Sequence, residues 1–127
     1  MGNMNDNYTR TGIVKYIIDG DTIDIECDLG FYVKIKERFR IKGIDTPEIY
    51  GKTRGEGLKA KKFLEDTLLN KEVSIISRKM DGFRRWLADI FYIDAEGNQR
   101  NLSLELLQNG LAIVMNSESK ETTTYLS

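Results

Sequence analysis

Residues 13–44 read IVKYIIDGDTIDIECDLGFYVKIKERFRIKGI, and this stretch decides the fold. Three segments in it are rich in β-branched residues, and turn-forming residues separate them at Asp19-Gly20 and Asp28-Leu29-Gly30. Such segments predict successive strands that pair as an antiparallel meander. The predicted strands are Ile13–Ile18, Thr22–Cys27 and Phe31–Ile44.

The third predicted strand has a basic face and an apolar face. Lysines and arginines occupy the even-numbered positions, and mostly apolar residues occupy the odd-numbered ones. Glu37 interrupts the apolar face, and a bulge there is one explanation. Residues 31–62 hold ten basic and four acidic side chains, or +6, in a chain whose net charge is −1. This asymmetry can steer a polyanion toward one surface.

The second half of the chain alternates helix and strand patterns. The period changes to that of an amphipathic helix at Leu58–Leu69, with Asn70 as its stop. Two further strands are predicted at Glu72–Ser77 and Leu87–Ile93, the second running into the turn 94–97. A short helix follows, capped by Asn101 and ended by Asn109-Gly110.

These elements predict a mainly β fold with added helices. Five strands of a curled antiparallel sheet, with two helices inserted late, are typical of a small Greek-key barrel of the OB type. The single domain is expected at 11–115, after a flexible N-terminal segment at 1–10. Residues 116–127 form a polar tail, so a third helix near the C-terminus is expected to be short or missing.

Composition excludes several classes of chemistry. The chain has 127 residues and no histidine, which removes Ser-His-Asp and Cys-His nucleophile systems and histidine-ligated zinc. The single Cys27 cannot form an internal disulfide. No apolar run approaches the ~20 residues that cross a bilayer, so no membrane partner is expected. No secretory signal is visible at the start, and the compartment stays open.

Two acidic turns are the candidate functional sites. Asp19-Gly20-Asp21-Thr22 can be an ordinary tight turn, and Asp45-Thr46-Pro47-Glu48 can be a solvated loop. Each is weak evidence alone. Together with residues 81–90 (DGFRRWLADI) and the segments Asn101-Leu102 and Gly110-Leu111-Ala112, they resemble the staphylococcal nuclease (thermonuclease) family in order and spacing. The resemblance runs from about Gly12 to Val114.

The resemblance implies a role for each matching residue. Asp21 and Asp45 match carboxylates that bind Ca²⁺ in that family, with the main-chain carbonyl of Thr46 as a further ligand. Glu48 matches the proposed general base, which orients or deprotonates a water molecule. Two arginines, Arg40 and Arg85, match the pair that grips the scissile phosphate, where planar forked donors suit a phosphoryl group.

The sequence departs from the family pattern near the substrate. Phe83 stands where well-known members have a tyrosine, so stacking on the substrate is retained while one phosphate hydrogen bond is lost. Arg84 is the alternative to Arg85, and we expect it on the opposite side of the strand as a surface or phosphodiester contact. Tyrosines that shape the nucleotide pocket after Met115 are missing, so base preference cannot be carried over.

The resemblance implies a Ca²⁺-dependent phosphodiesterase acting on DNA and RNA, preferably single-stranded, with low sequence specificity. Its products would carry a 3′-phosphate, and the protein is expected to be a monomer. The alternative is a non-catalytic nucleic-acid or protein-binding module of the same fold, and a third reading is an interaction barrel with an unrelated partner. The complete set of acids and arginines favours the enzyme.

Overall fold

A computed structural model describes residues 8–80, 84–115 and 123–124. The described strands are β1 (Tyr8–Asp19), β2 (Thr22–Gly30), β3 (Val33–Ile41), β4 (Ile44–Asp45), β5 (Glu72–Met80), β6 (Trp86–Ile93), β7 (Gln99–Asn101), β8 (Ile113–Met115) and β9 (Thr123–Thr124). The described helices are α1 (Arg54–Leu68), which a 3₁₀ turn at Gly51–Thr53 precedes, and α2 (Leu102–Gln108). None of these helices is long and apolar enough to cross a bilayer.

Five strands form a closed barrel. The order is β3-β2-β1-β5-β6, and β6 pairs with β3 in parallel, which joins the two edges. Phe39 lies opposite Trp86 and Ile41 opposite Ala88 at this closure. Closure removes the exposed sheet edges that an open sheet would present. The prediction of a five-stranded OB-type barrel with two helices is confirmed.

The barrel is filled by the inward-facing side chains, which alternate with outward-facing ones along each strand. Ile23 and Ile25 on β2 and Phe39 and Ile41 on β3 are buried, as period-two alternation requires. The two helices close the core with leucines, namely Leu64, Leu68, Leu102 and Leu106. Burial of each such side chain stabilises the fold by roughly 1.5–3 kcal/mol.

The turn between β2 and β3 differs from the prediction. The turn was expected at Asp28-Leu29-Gly30, but β2 continues through Gly30, which pairs with Val33. Phe31 and Tyr32 therefore form a two-residue turn, with φ angles of 54° and 64°. Aromatic residues pay about 1 kcal/mol or more for this left-handed backbone, where Asn-Gly is the usual choice.

The predicted strand Phe31–Ile44 is two strands. Gly43, at φ 83°, turns the chain after Lys42, and Ile44–Asp45 leaves the barrel to pair with β8. No bulge occurs at Glu37, which lies opposite Ile25 in regular register. Register shifts occur instead in the β1–β2 pairing, on either side of Tyr16 and Ile17, and also in the β2–β3 pairing at Asp28/Gly30 and the β5–β6 pairing at Ser77/Lys79.

Described residues near both ends of the chain pair in strands, whereas residues 1–7 lie outside the described part of the chain. Residues 8–10, which were predicted to be flexible, belong to β1 and pair with 75–77 of β5. Residues 123–124, within the predicted polar tail, pair with β8. The other residues of the predicted tail, 116–122 and 125–127, lie outside the described residues.

Helix boundaries follow the predicted capping residues. The side chain of Asn101 accepts hydrogen bonds from Ser103 N (3.0 Å) and Leu104 N (3.4 Å) at the start of α2. Asn70, at φ 65°, ends α1, and its N–H donates to the Val14 carbonyl (2.8 Å). Helix α1 begins at Arg54, four residues before the predicted start at Leu58.

We predict opposite effects for two glycines of α1. A Cβ on Gly57 would collide with the Glu48 carbonyl, whereas a Cβ on Gly55 would meet nothing within 4 Å. Gly57→Ala should lower the free energy of unfolding by about 1–3 kcal/mol. Gly55→Ala should raise it by about 0.5–1 kcal/mol, because alanine is the better helix former. Equal stabilities of the two variants in urea unfolding would contradict this packing.

Candidate active site

The predicted catalytic and metal-binding residues meet in one cleft beside the barrel. The cleft has a volume of about 670 Å³. Its walls come from the β1–β2 turn, the end of β3, the 45–53 loop and the residue before β6. The lining residues are Asp19, Asp21, Arg40, Asp45, Thr46, Pro47, Glu48, Tyr50, Gly51, Lys52, Thr53 and Arg85. Segments far apart in the sequence therefore share one surface.

Asp21 is the most buried acid of the cleft. It is 7% exposed, in the turn that joins β1 to β2. Its Oδ1 accepts a hydrogen bond from Thr22 Oγ1 (2.9 Å), and its Oδ2 accepts one from Thr46 N (3.4 Å). Its own N–H donates to Asp19 Oδ1 (3.1 Å). These bonds fix the carboxylate at the floor of the cleft.

The guanidinium of Arg40 joins the two carboxylates among the three predicted metal ligands. Its Nη2 donates to Asp45 Oδ1 (2.7 Å) and to Asp21 Oδ2 (3.2 Å). Its Nη1 donates to the Ile44 carbonyl (3.0 Å). The Arg40 and Asp21 side chains are only 11% and 10% exposed, so their charge-assisted bond is formed largely away from solvent, whereas the Asp45 side chain is 43% exposed.

Neighbouring acids drive the pKa values of the β1–β2 turn apart. Burial, together with the hydrogen bond and the negative charge of Asp21, raises the pKa of Asp19 to about 6. Burial also opposes ionisation of Asp21, but the hydrogen bond from Asp19, the charge of Arg40 and the Thr22 hydroxyl outweigh it and lower the pKa of Asp21. At mildly acidic pH the pair therefore carries one proton, which lies on Asp19, while Asp21 is ionised.

Asp45 also lies in an environment that disfavours its charge. Burial raises the pKa of Asp45, and the charges of Asp21 and Glu48 add to the effect, while Arg40 opposes it. Among the described residues, no group of three or more Asp, Glu, Cys or His side chains is arranged to hold a metal ion. Yet the Asp21 and Asp45 oxygens share one nitrogen of Arg40, so one cation can contact both carboxylates.

Packing against α1 fixes the backbone of the 45–48 segment. Thr53 Oγ1 donates to the Glu48 carbonyl (2.9 Å), and Gly57 allows the helix to approach the same carbonyl. At the other end, a Cβ on Gly20 would lie 2.8 Å from Thr46 Oγ1. The Glu48 side chain is exposed, although its main chain is held. Glu48 can therefore contact water in the cleft.

The two adjacent arginines before β6 lie in different environments. Arg85 lines the cleft, and its Nη1 donates to Thr22 Oγ1 (3.3 Å). Arg84 is exposed and has a left-handed backbone, at φ 63°. Strand alternation does not separate them, because β6 begins only at Trp86. Phe83 lies outside the described residues.

Sequence reasoning missed several residues of the cleft. Asp19 was quoted only as part of a turn, although it lies two positions before Asp21 in the same acidic motif. Thr22 bonds both Asp21 and Arg85, so it connects the acid to the arginine. Tyr50 and Lys52 line the cleft from a loop that carries no periodic pattern, so the sequence gives no signal for them.

A comparison with protein families matches residues 38–127 to the family described as staphylococcal nuclease homologue. The matched residues include Arg40, Asp45, Thr46, Glu48 and Arg85, and they exclude Asp21. The placement of Asp21 beside Arg40 and Thr46 therefore comes from the structure, independently of the family match.

Curated relatives from distant organisms are similar to this chain. An uncharacterized protein of Methanocaldococcus jannaschii is 32% identical over 81% of this chain and 58% of its own length. An uncharacterized endonuclease of Haemophilus influenzae is 32% identical over 79% of this chain and 49% of its own. The probable endonuclease LCL3 of Saccharomyces cerevisiae is 34% identical over 68% and 32%, respectively. The chain thus spans about a third to three fifths of these relatives.

The raised pKa of Asp19 predicts a loss of stability on the alkaline side. Protonated Asp19 is favoured in the folded state, so its contribution is complete below the ordinary pKa of 3.8 and disappears as the pH rises through about 6. Asp19→Asn cannot ionise. Without added metal, it should exceed the wild type in unfolding free energy by about 1 kcal/mol at about pH 8, after allowance for solvent screening.

The two proteins should nearly converge at about pH 3, where Asp19 is largely protonated in both states. The control is Asp66→Asn on the exposed face of α1, where the change should stay within about 0.5 kcal/mol at both pH values. Urea unfolding at the two pH values measures all three proteins. A constant difference between Asp19→Asn and the wild type would contradict the assignment.

Proposed function

Since the chain belongs to the staphylococcal nuclease homologue family, we propose that it is a Ca²⁺-dependent nuclease that hydrolyses phosphodiester bonds of DNA and RNA. The observation that carries the proposal is the meeting of two arginines and four carboxylates in one cleft. The relative from H. influenzae is named an uncharacterized endonuclease and the one from S. cerevisiae a probable endonuclease. These names support the same class of activity.

Arg40 and Arg85 supply the phosphate-binding donors. Arg40 reaches the cleft from the end of β3 and Arg85 from the residue before β6, next to the pairing that closes the barrel. Planar guanidinium groups bind two phosphate oxygens at once and stabilise charge that develops on them during attack. Arg40 also bonds Asp21 and Asp45, so a phosphate in the cleft lies next to the acidic residues.

Asp21 and Asp45 are the residues that would hold Ca²⁺, with the Thr46 carbonyl as a third oxygen donor. The donor set fits, because Ca²⁺ prefers carboxylate and carbonyl oxygens and completes its 6–8 ligands with water and substrate. Burial, and then the negative charge of neighbouring carboxylates, raises the pKa values of Asp19 and Asp45, and a divalent cation would offset both effects. A bound ion would neutralise phosphate charge and favour attack by water.

Glu48 is the residue that accepts a proton from the attacking water. The water oxygen bonds to phosphorus, the water proton passes to the Glu48 carboxylate, and the bond from phosphorus to the 5′ oxygen breaks. The departing oxygen takes a proton from solvent, which leaves a 3′-phosphate and a 5′-hydroxyl. A carboxylate fills this role because the chain has no histidine.

The substrate is single-stranded or locally opened nucleic acid with little sequence preference. Tyr50, which is 74% exposed, and Lys52 line the open side of the cleft. An aromatic ring stacks on any base, and an ammonium group attracts any phosphate, so neither contact reads sequence. The same contacts are available in DNA and RNA.

Catalysis is tested on heat-denatured DNA with Ca²⁺ and with EGTA. Glu48→Gln and Arg85→Ala should each lower kcat by roughly 10²-fold or more, because a proton acceptor or a phosphate donor is lost. Arg38→Ala is the matched control: Arg38 lies on β3 near Arg40 but bonds Asp24 (2.8 Å), outside the cleft. It should keep activity within about twofold. Binding of DNA without metal-dependent cleavage would contradict the nuclease proposal and favour the alternative, a non-catalytic binding module.

Calcium binding is tested separately from activity by thermal unfolding without nucleic acid. Millimolar Ca²⁺ should raise the Tm of the wild type, because a ligand of the folded state stabilises it. Asp21→Asn and Asp45→Asn should lose this rise. Arg40→Gln should keep or increase it, since a competing positive charge between the two carboxylates is removed. An equal Tm rise in all four proteins would exclude Asp21 and Asp45 as the ligands.

A further inference from the structure

The turn between β2 and β3 is an exposed apolar tip that the nuclease cleft does not use. Phe31 is 98% exposed, Tyr32 is fully exposed, and Leu29 and Val33 beside them are also exposed. Residues 29–33 carry no charge. Neither Phe31 nor Tyr32 lines the cleft. We name residues 29–33 the hairpin tip.

The backbone of the hairpin tip is unfavourable for the residues that occupy it. Both Phe31 and Tyr32 have left-handed φ angles, for which Asn-Gly would be the ordinary choice. Because both aromatic rings are fully exposed, they add no packing within the described part of the chain. Strained positions of this kind are found where a surface has a function, so the observation points to a contact outside the chain.

Charged pairs bound the hairpin tip on the side of the barrel. Asp28 lies opposite Lys34, Glu26 opposite Lys36, and Asp24 bonds Arg38 at 2.8 Å. The uncharged tip thus extends roughly 10 Å beyond the first charged pair, at about 3.3 Å per residue. Leu29 of the tip also lines a mostly apolar cavity of about 300 Å³, together with Ile35 and with the charged residues Arg10 and Glu37.

We propose that the hairpin tip inserts into the surface of a lipid bilayer. An uncharged segment of this length matches the 5–10 Å to which peripheral elements enter the boundary of head groups and acyl chains. Phe31 would lie among the acyl chains, and the Tyr32 hydroxyl would stay near the head groups, where tyrosine is favoured. The charged pairs would stop deeper entry. This goes beyond the proposed nuclease activity.

Charge favours a bilayer over nucleic acid as the partner. Residues 24–38 carry Lys34, Lys36 and Arg38 against Asp24, Glu26, Asp28 and Glu37, so the hairpin arm is one charge negative. Each base on its outer face has an acid opposite it. The basic face predicted from the sequence is therefore neutralised here, and phosphates are not attracted. Binding should be apolar and insensitive to salt.

A second copy of the chain is also disfavoured. Stable dimers bury about 800 Å² on each partner, with complementary surfaces. A projecting two-residue turn is convex and small. A bilayer has no such requirement, because it deforms around an inserted loop. The sequence-based expectation of no membrane partner considered only spanning segments, and this proposal revises it for surface contact.

Vesicle flotation tests the proposal with a variant that should fold better than the wild type. Phe31→Asn combined with Tyr32→Gly introduces the favoured Asn-Gly turn, so its Tm should equal or exceed that of the wild type. Flotation with phosphatidylcholine vesicles should fall roughly tenfold or more, because two apolar side chains are lost. For the wild type, flotation should be the same in low and high salt.

Ile93→Asn is the matched control, since Ile93 is an exposed apolar residue (63%) beside the β6–β7 turn. It should float as the wild type does. Turnover of a short soluble oligonucleotide should be equal in all three proteins. Flotation is measured without turnover, so the membrane test remains valid even if the nuclease proposal fails. Absence of wild-type flotation, or equal flotation of the double variant, would overturn the inference.

Two further outcomes would also overturn it. One is a loss of oligo(dT) binding in the double variant without a change in flotation, which would assign the tip to nucleic acid. The other is a wild-type dimer in sedimentation that the double variant dissociates, which would assign the tip to a second copy.

Discussion

The site depends on the hydrogen bonds that the guanidinium of Arg40 donates. It bonds Asp21 from the β1–β2 turn, Asp45 from β4 and the carbonyl of Ile44. The buried Asp21 carboxylate and the partly exposed Asp45 carboxylate would repel each other without a cation between them. The positive charge that binds these acids is also the one proposed to bind substrate. The stability of the β1–β2 turn and the proposed function therefore depend on the same side chain. Arginine suits this double task because its five donors point in fixed directions.

The barrel could be predicted because its signals are local. Alternation of apolar and polar residues identified five strands, and Asn70 and Asn101 identified where one helix ends and another begins. The β2–β3 turn was predicted wrongly because Gly30 is an ordinary turn former. Pairing of Gly30 with Val33 decides the register, and local propensity cannot report a pairing between strands.

The site was less accessible to the sequence alone. Asp45, Thr46 and Glu48 are close in the chain, so their proximity was expected. Arg85 could be chosen over Arg84 only through the family resemblance. The structural reason, a left-handed residue directly before Arg85, has no signature in the sequence. The share of a proton between Asp19 and Asp21 likewise depends on burial, which composition does not reveal.

The parallel pairing of β3 with β6 decides when the cleft can exist at all. Arg85 reaches Thr22 from a position 63 residues away, and it does so only after β6 has joined β3. A chain still emerging from a ribosome therefore lacks the cleft until β6 has left the exit tunnel. The nuclease proposed for this chain would therefore gain the capacity to cut only on completing its fold.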